Sequence, residues 1–319
     1  MISLFHTKIE PKKELRKVKM LEEAKTLISF ENIATIIDSK IEKKKVWRKR
    51  RDTEIMIKIL FLQRVYWLAD ETVEEDIYDR ATFKAFLWNE YIQKYGVPDA
   101  TSLCRFRRFL EKNNLHKDIF SNIVKKFEDK WLIIKTWTIV DATIIQAPWS
   151  TKNKSKKRDP EMKSTKKWAN YYFGMKAHAG CDIESWIVHS LEFTSANIHD
   201  SKKMEAVFHG EEKVICWDKW YVSQKRKKEC RKKWIIYGVL EKANRGWKLS
   251  SSQNKKNKKR QSIRAKSELP FRILKKWRGN KKVKYKWIFK NEVRRTVWFA
   301  FWNFYLAKRY ENKISNFSS

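Results

Sequence analysis

Apolar residues along this chain change their period near residue 132. From Asp52 onward Ile55, Ile59, Leu62 and Tyr66 recur every three or four residues, which places them on one face of a helix. Gly96-Val97-Pro98 interrupts the pattern and a second helix follows. Asp99 or Thr101 can cap it, because a side-chain oxygen there accepts the free N–H groups of the first turn. Leu103, Phe106 and Leu110 then face inward, while Arg105, Arg107 and Arg108 lie mostly off that face. A short helix, a turn and a basic helix suit helix-turn-helix DNA binding, and suit equally well a structural helix with a solvated basic face. Residues 1–50 are lysine-rich and weakly periodic, and are expected to form a loosely ordered basic arm.

Beyond residue 132 the pattern is that of short strands. Thr138-Ile139-Val140 leads into Asp141-Ala142-Thr143-Ile144-Ile145, a buried strand that carries one acid. Residues 150–168 form a polar basic loop. Tyr171–Asp182 and Ile187–Thr194 are expected as two strands joined by the turn Ile183-Glu184-Ser185-Trp186. A short helix over Ser201–Phe208 follows, then the strand Lys213–Cys216 just before Asp218. A basic helix over Ser223–Lys233 and a strand over Trp234–Leu240 come next. Residues 248–260 read as a second basic loop. Ser262–Lys276 reads as a helix carrying Glu268, with a kink or break at Pro270. The order β-β-β-α-β-α-β-α, with acids at the ends of the first and fourth strands and on the last helix, is the ribonuclease-H-like layout. The expected fold is therefore α/β: a mixed sheet flanked by helices, preceded by an all-helical DNA-binding domain. The expected division is an arm over 1–50, a helical domain over 51–130 and a catalytic domain over 131–319.

Charge narrows the partner. There are 73 basic and 37 acidic residues in 319, a net charge of +36 spread along the whole chain. Such self-repulsion points to a polyanion, and nucleic acid fits best. No apolar run reaches the roughly 18 residues of a spanning helix, and no signal-peptide pattern opens the chain, so a cytoplasmic location is expected. Cys104, Cys181, Cys216 and Cys230 form no CxxC pair and no Cys/His zinc spacing, and are read as reduced thiols.

Phosphodiester chemistry needs an activated oxygen nucleophile and a stabilised leaving oxygen. Two magnesium ions about 4 Å apart serve both needs when acidic side chains hold them. Asp141 and Asp218 fall at neighbouring strand ends, and Glu268 lies on a helix placed to complete the set. His178, His189 and His199 are alternatives as general bases, but a metal-bound water needs none.

Several motifs carry a resemblance. Thr138-Ile139-Val140-Asp141-Ala142-Thr143 resembles the first-aspartate motif of bacterial DDE transposases of the "insertion sequence five" family. Tyr172-Phe173-Gly174-Met175-Lys176-Ala177-His178 and Asn197-Ile198-His199-Asp200 are similar to further motifs of that family. Asp218-Lys219-Trp220-Tyr221 resembles its second-aspartate motif, Asp-Lys-Gly-Tyr. Arg264, Glu268 and Lys275 match the spacing of a Tyr-Arg-Glu-Lys signature, whose tyrosine position holds Gln261 here. The resemblance runs from about residue 45 to about residue 310. It implies that Asp141, Asp218 and Glu268 bind two Mg²⁺ (or Mn²⁺) ions and that Arg264 and Lys275 contact DNA phosphates. The implied activity is strand cleavage at element ends, then attack of the freed 3′ hydroxyl on target DNA. The implied partners are double-stranded DNA, as terminal inverted repeats and target, and a second copy of the chain, in a bacterial cytoplasm. A catalytically silent DNA-binding relic and a metal-dependent nuclease of the same fold are the competing readings.

The glycine count departs from any ordinary globular chain: 7 Gly against 16 Trp. Together these are 23 of 319 residues, about 7%, the usual share of glycine alone. Trp220 stands where the family motif has glycine. Trp67, Trp88, Trp131, Trp137, Trp186, Trp217, Trp234 and Trp287 also fall where that family carries glycine, while Trp277 and Trp298 match no family glycine and are the weaker candidates. The expectation is that these are UGA codons which the source organism reads as glycine, as certain bacterial lineages do. Ile183-Glu184-Ser185-Trp186 is a poor hairpin turn with tryptophan, but with glycine it can close on a left-handed residue. Stacking aromatics for single-stranded nucleic acid are the rival explanation.

Overall fold

The computed structural model describes residues 16–41, 51–152, 157–167, 169–203, 205–217, 224–239, 248–265 and 282–318. The chain forms two compact units, Met1–Phe109 and Leu110–Ser319.

The first unit is all helical. It contains α1 (Arg16–Leu27), α2 (Phe30–Ser39), α3 (Thr53–Tyr66), α4 (Asp70–Asp79), α5 (Ala81–Phe86), α6 (Asn89–Tyr95) and most of α7 (Ala100–Lys112). Asp52 starts α3 by accepting the Ile55 N–H at 3.0 Å. Asp99 starts α7 in the same way, accepting the Ser102 N–H at 2.6 Å. Phe30, Phe61 and Phe86 meet with ring centroids 5.5–5.7 Å apart and join α2, α3 and α5. The arm expected over residues 1–50 is corrected here, because α1 and α2 occupy part of it. Leu21, Ala24, Leu27 and Ile28, then Phe30, Ile33, Ala34 and Ile37, are all buried. Their spacing is helical, and the lysine-rich stretches on either side of them obscured it.

The second unit begins with α8 (Leu115–Asp129), so its edge lies before the expected one near residue 130. The reason is packing: α8 buries Leu115, Ile119, Ile123 and Phe127 and lies against α11 (Ile288–Ser318). Between them come β1 (Trp137–Gln146), β2 (Lys163–Lys167), β3 (Asn170–Asp182), β4 (Val188–Ser195), β5 (Val214–Trp217), α9 (Gln224–Lys232), β6 (Ile236–Val239) and α10 (Ser251–Ala265). β1 pairs antiparallel with β3 and parallel with β5, β5 pairs parallel with β6, and β4 pairs antiparallel with β3. The order β4-β3-β1-β5-β6, with one antiparallel hairpin and two parallel neighbours, is the ribonuclease-H-like sheet. β2 extends the hairpin by pairing with the first residues of β3.

Ile139, Val214 and Cys216 pack together on one face of the sheet; Val140, Ile215 and Tyr237 pack on the other, beside Val207 and Cys230. α11 anchors on β4 through Asn303, whose buried amide accepts from the Val188 N–H (3.0 Å) and donates to the Val188 carbonyl (2.7 Å).

Three local expectations change. Ser201–Phe208 holds two 3₁₀ turns, Asp200–Lys202 and Glu205–Val207, instead of one helix. The loop over 150–168 contains β2, and the loop over 248–260 contains most of α10. Both elements are nearly all polar, so neither carries an apolar period to reveal it.

The backbone singles out tryptophan. Seven described residues other than glycine have positive φ, and six are Trp: 67, 88, 131, 186, 234 and 287. The seventh is Asn114, a residue type that tolerates this region. Trp131 lies just past the end of α8: its N–H reaches the Glu128 carbonyl (2.9 Å), and the Leu132 N–H reaches Phe127 (2.9 Å). Trp234 repeats this after α9, with Trp234 bonded to Arg231 (3.2 Å) and Ile235 to Cys230 (2.8 Å). Trp67 ends α3 with the Leu68 N–H on Gln63 (3.1 Å). These are Schellman-type helix ends, in which the left-handed position is ordinarily glycine. Trp186 closes the β3–β4 turn at φ 62°, its N–H on the Asp182 carbonyl at 3.0 Å.

Trp131 and Trp234 are 85% and 92% exposed, so their indoles contribute little packing. A left-handed L-residue costs roughly 1–2 kcal/mol that glycine avoids, less glycine's own entropic cost. Trp131→Gly and Trp234→Gly are each expected to raise stability by about 0.5–1 kcal/mol in urea titration. Trp137→Gly, within β1, is expected to lower it by a similar amount.

Candidate active site

Asp141 sits within β1, paired across the sheet with Ala179 of β3, and is half-buried. Its Oδ1 accepts the Ala142 N–H at 2.8 Å. Strand alternation puts Asp141 on the face shared with Ile139, Thr143, Ala177 and Ala179. Cys181 lies on that face; burial, with Asp141 and Asp182 adding to it, drives its thiol far above the ordinary range.

On the other edge of β1 the parallel register pairs Trp137 with Val214, Thr138 with Ile215 and Ile139 with Cys216. Burial raises the Cys216 thiol to about 11, and Arg260 of α10 pulls in the opposite direction. α10 packs against β5. Arg264 is in the last turn of α10. Asp218, Glu268 and Lys275 lie outside the described residues. Among the described residues no group of three His, Cys, Asp or Glu side chains could hold a metal ion.

Two of the sequence motifs meet in space. Lys176 of β3 is buried; its Nζ donates to the Ile198 carbonyl (2.8 Å) and pairs with Asp200 Oδ1 (2.8 Å). His178 bonds through Nε2 to Thr194 (2.9 Å), with Nδ1 4.0 Å from Asp200. This pin between β3 and the segment after β4 lies on the face opposite Asp141. Periodicity shows no sign of it, because a lysine in a strand is normally exposed. Asp182 was also missed. It accepts N–H bonds from Ile134, Glu184 and Ser185 and a hydroxyl bond from Ser185, at 2.8–3.0 Å, and so builds the β3–β4 turn.

His178 and His189 are both buried. Burial forces His178 well below its usual pKa, Asp200 opposing, and forces His189 down to about 3, with His209 adding to the shift. His189 Nε2 contacts Thr138 Oγ1 at 3.3 Å, as does His209.

In the first unit the three arginines of α7 separate. Arg105 and Arg108 are exposed. Arg107 turns inward and grips both carboxylate oxygens of Asp70, with Gln63 donating to the same acid at 2.7 Å. Burial would raise the Asp70 pKa, but the bonds from Arg107 and Gln63 outweigh it and hold it below the ordinary carboxylate value.

Comparison with known proteins places this geometry. Residues 135–304 match the family described as Transposase DDE domain, and residues 8–109 match Transposase domain (DUF772). The chain belongs to the DDE transposases. A cryo-EM structure titled piggyBac transposase synaptic complex with hairpin DNA is similar over 94% of this chain and 74% of that one, at 11% identity and a TM-score of 0.46. No helix among the described residues is long and apolar enough to cross a membrane.

Two outcomes follow from these contacts. Arg107→Ala leaves Asp70 half-buried without its cation, and is expected to cost about 1.5–3 kcal/mol in chemical denaturation. His189 takes up a proton near pH 6.5 when unfolded but only near pH 3 when folded, so its effect on stability appears below pH 6.5. Stability is expected to fall as pH drops from 6.5 toward 3. His189→Gln should reduce that slope by up to one proton, about 1.4 kcal/mol per pH unit.

Proposed function

We propose that this chain is a transposase of the "insertion sequence five" type, with Asp141, Asp218 and Glu268 holding its catalytic metal ions. The observation that carries this is the β1–β5 register. Ile139, two residues before Asp141, pairs with Cys216, two residues before Asp218 in sequence. α10 supports the third position: it packs against β5, and Glu268 follows in sequence only three residues after the helix's last described residue.

Three carboxylates are the hard oxygen donors that Mg²⁺ or Mn²⁺ prefers. The metal ions would supply activation of the attacking oxygen and neutralisation of charge at the leaving oxygen. The proposed reaction is hydrolysis of one strand at each element end, then in-line attack of the freed 3′ hydroxyl on target DNA. Arg264 and Lys275 would hold phosphates beside the carboxylates. Arg105 and Arg108 would bind the duplex backbone; Arg107, engaged with Asp70, would hold the helix that presents them. Two ends need two active sites, so a dimer on DNA belongs to this reading.

The six left-handed tryptophans support a further part of it, that these positions are glycine in the native protein through UGA codons. Neither Trp149 nor the stacked pair Trp298 and Trp302 has such a backbone. Peptide mass spectrometry of protein from its own host should find glycine at 67, 131, 186 and 234. Tryptophan there would end this part of the proposal.

With duplex oligonucleotides carrying the element's ends, Asp141→Asn should lower Mg²⁺-dependent cleavage by at least about 100-fold while DNA binding survives. Cleavage unchanged by the substitution would refute the metal assignment. Duplex binding should weaken by 10³-fold or more between about 50 and 200 mM salt, if six or more phosphates are engaged.

A further inference from the structure

Just past the end of β1 a cavity of about 560 Å³ opens between the β2–β3 hairpin and the segment leading into α11. Its inner wall is apolar, formed by Met162, Phe173 and Val283. Its rim carries Lys157, Arg158, Lys284 and Lys286, with Asp159 as the single acid. That acid is engaged, accepting the Trp287 N–H at 2.6 Å.

Arg158 is fixed in an unusual way. Its Nε donates to the Trp149 carbonyl at 2.9 Å, and its guanidinium carbon lies 5.1 Å from the Trp149 ring centroid and 5.7 Å from that of Phe173. Those two rings lie 5.6 Å apart behind it. A guanidinium held against aromatic rings is a preorganised planar surface with a positive charge. Tyr285, also lining the cavity, supplies an aromatic ring, and Lys290 lies 5.2 Å from that ring's centroid.

An apolar slot of this size, lined by a ring and a guanidinium plate and rimmed with cations, matches one ligand chemistry: a flat heteroaromatic base joined to a phosphate. We infer that the cavity is a subsite for one unpaired nucleotide of a DNA strand, its base against Arg158 and Tyr285 and its phosphate on the lysine rim. A paired base cannot enter, because its faces are covered by its neighbours in the stack. Ala147 lies six residue steps beyond Asp141, about 20 Å along the extended chain. At about 3.4 Å per base pair of duplex, that is about six base pairs from the carboxylate. The subsite would therefore hold a displaced nucleotide remote from the reacting phosphate. The choice of DNA rests on the transposase reading, but the base-and-phosphate chemistry does not.

The test is fluorescence anisotropy of the full chain in EDTA, which removes cleavage from the readout. The probes are a fully paired duplex, the same duplex with a three-nucleotide single-stranded extension, and free dAMP as competitor. The wild-type chain should prefer the extended duplex. Stacking is worth about 1–3 kcal/mol per base, so Tyr285→Ala should weaken binding to the extended duplex by about 5- to 150-fold and leave the paired duplex unchanged. Tyr285→Phe should restore the preference. Arg158→Lys keeps the charge but loses the plane, and should reduce the preference while paired-duplex affinity holds. Circular dichroism melts check that each variant folds.

The subsite is overturned if the wild type does not distinguish the two duplexes, or if Tyr285→Ala and Arg158→Lys weaken both equally. If dAMP binds with Tyr285 dependence but neither duplex binds, the pocket takes free nucleotides and the DNA assignment falls. Loss of the transposase reading alone would leave the preference for the extended duplex in place without Mg²⁺-dependent cleavage.

Discussion

The second unit depends on β1 being hydrogen-bonded along both edges. Nine residues pair with β3 in antiparallel register, and the first three pair with β5 in parallel register. Because side chains alternate between faces, a slip of one residue on either edge would carry Asp141 into the layer of Val140 and Ala142. Burial of Ile139, Val140 and Ile145 on both sides resists such a slip. The acid is thus carried by a strand held along both edges, where small displacements are costly. The role proposed for Asp141, holding a metal ion, would benefit from such support.

Charge is organised by the same economy of acids. With 37 acidic residues against 73 basic ones, few carboxylates are available to neutralise the surface. Several are committed to internal donors: Asp70 to Arg107 and Gln63, Asp182 to three bonds in the hairpin turn and one from the Ile134 N–H, and Glu212 to the N–H groups of His209 and Gly210. Asp159 and Glu161 accept the N–H groups of Trp287 and Ile288 at the start of α11. Acids used in this way leave the surface strongly cationic, which favours long-range attraction to polyanions while making bare surface helices such as α10 repel themselves.

The strands carrying Asp141 and its hairpin neighbour were legible in the sequence because their apolar runs are short, β-branched and broken by a turn. α10 was not, since a helix polar on every side has no moment to reveal it, and its six cations suggested a loop. α11 was hidden for the opposite reason. Val297–Phe301 are apolar and buried throughout, so the helix shows little amphipathic contrast there. Arg107 shows the limit of reading a face from spacing, because one residue's offset from Phe106 placed it where Asp70 could draw it inward. The site's first acid was marked by an apolar strand, whereas the Lys176–Asp200 pin depends on residues far apart in sequence that only pairing of β3 with β4 brings close. Tryptophan at helix ends was visible as a compositional excess, and the left-handed backbone gave that excess a physical meaning.

The Asn303 amide on Val188 has an effect beyond holding α11. β4 borders the sheet, and an exposed border strand offers its backbone groups to any other extended chain. By taking both polar groups of Val188, Asn303 ends the available ladder at that point with a side chain. A foreign strand adding alongside would lose two bonds there and meet a helix in its path. The molecule thereby carries its own guard against edge-to-edge aggregation, built from a single residue more than a hundred positions away in sequence.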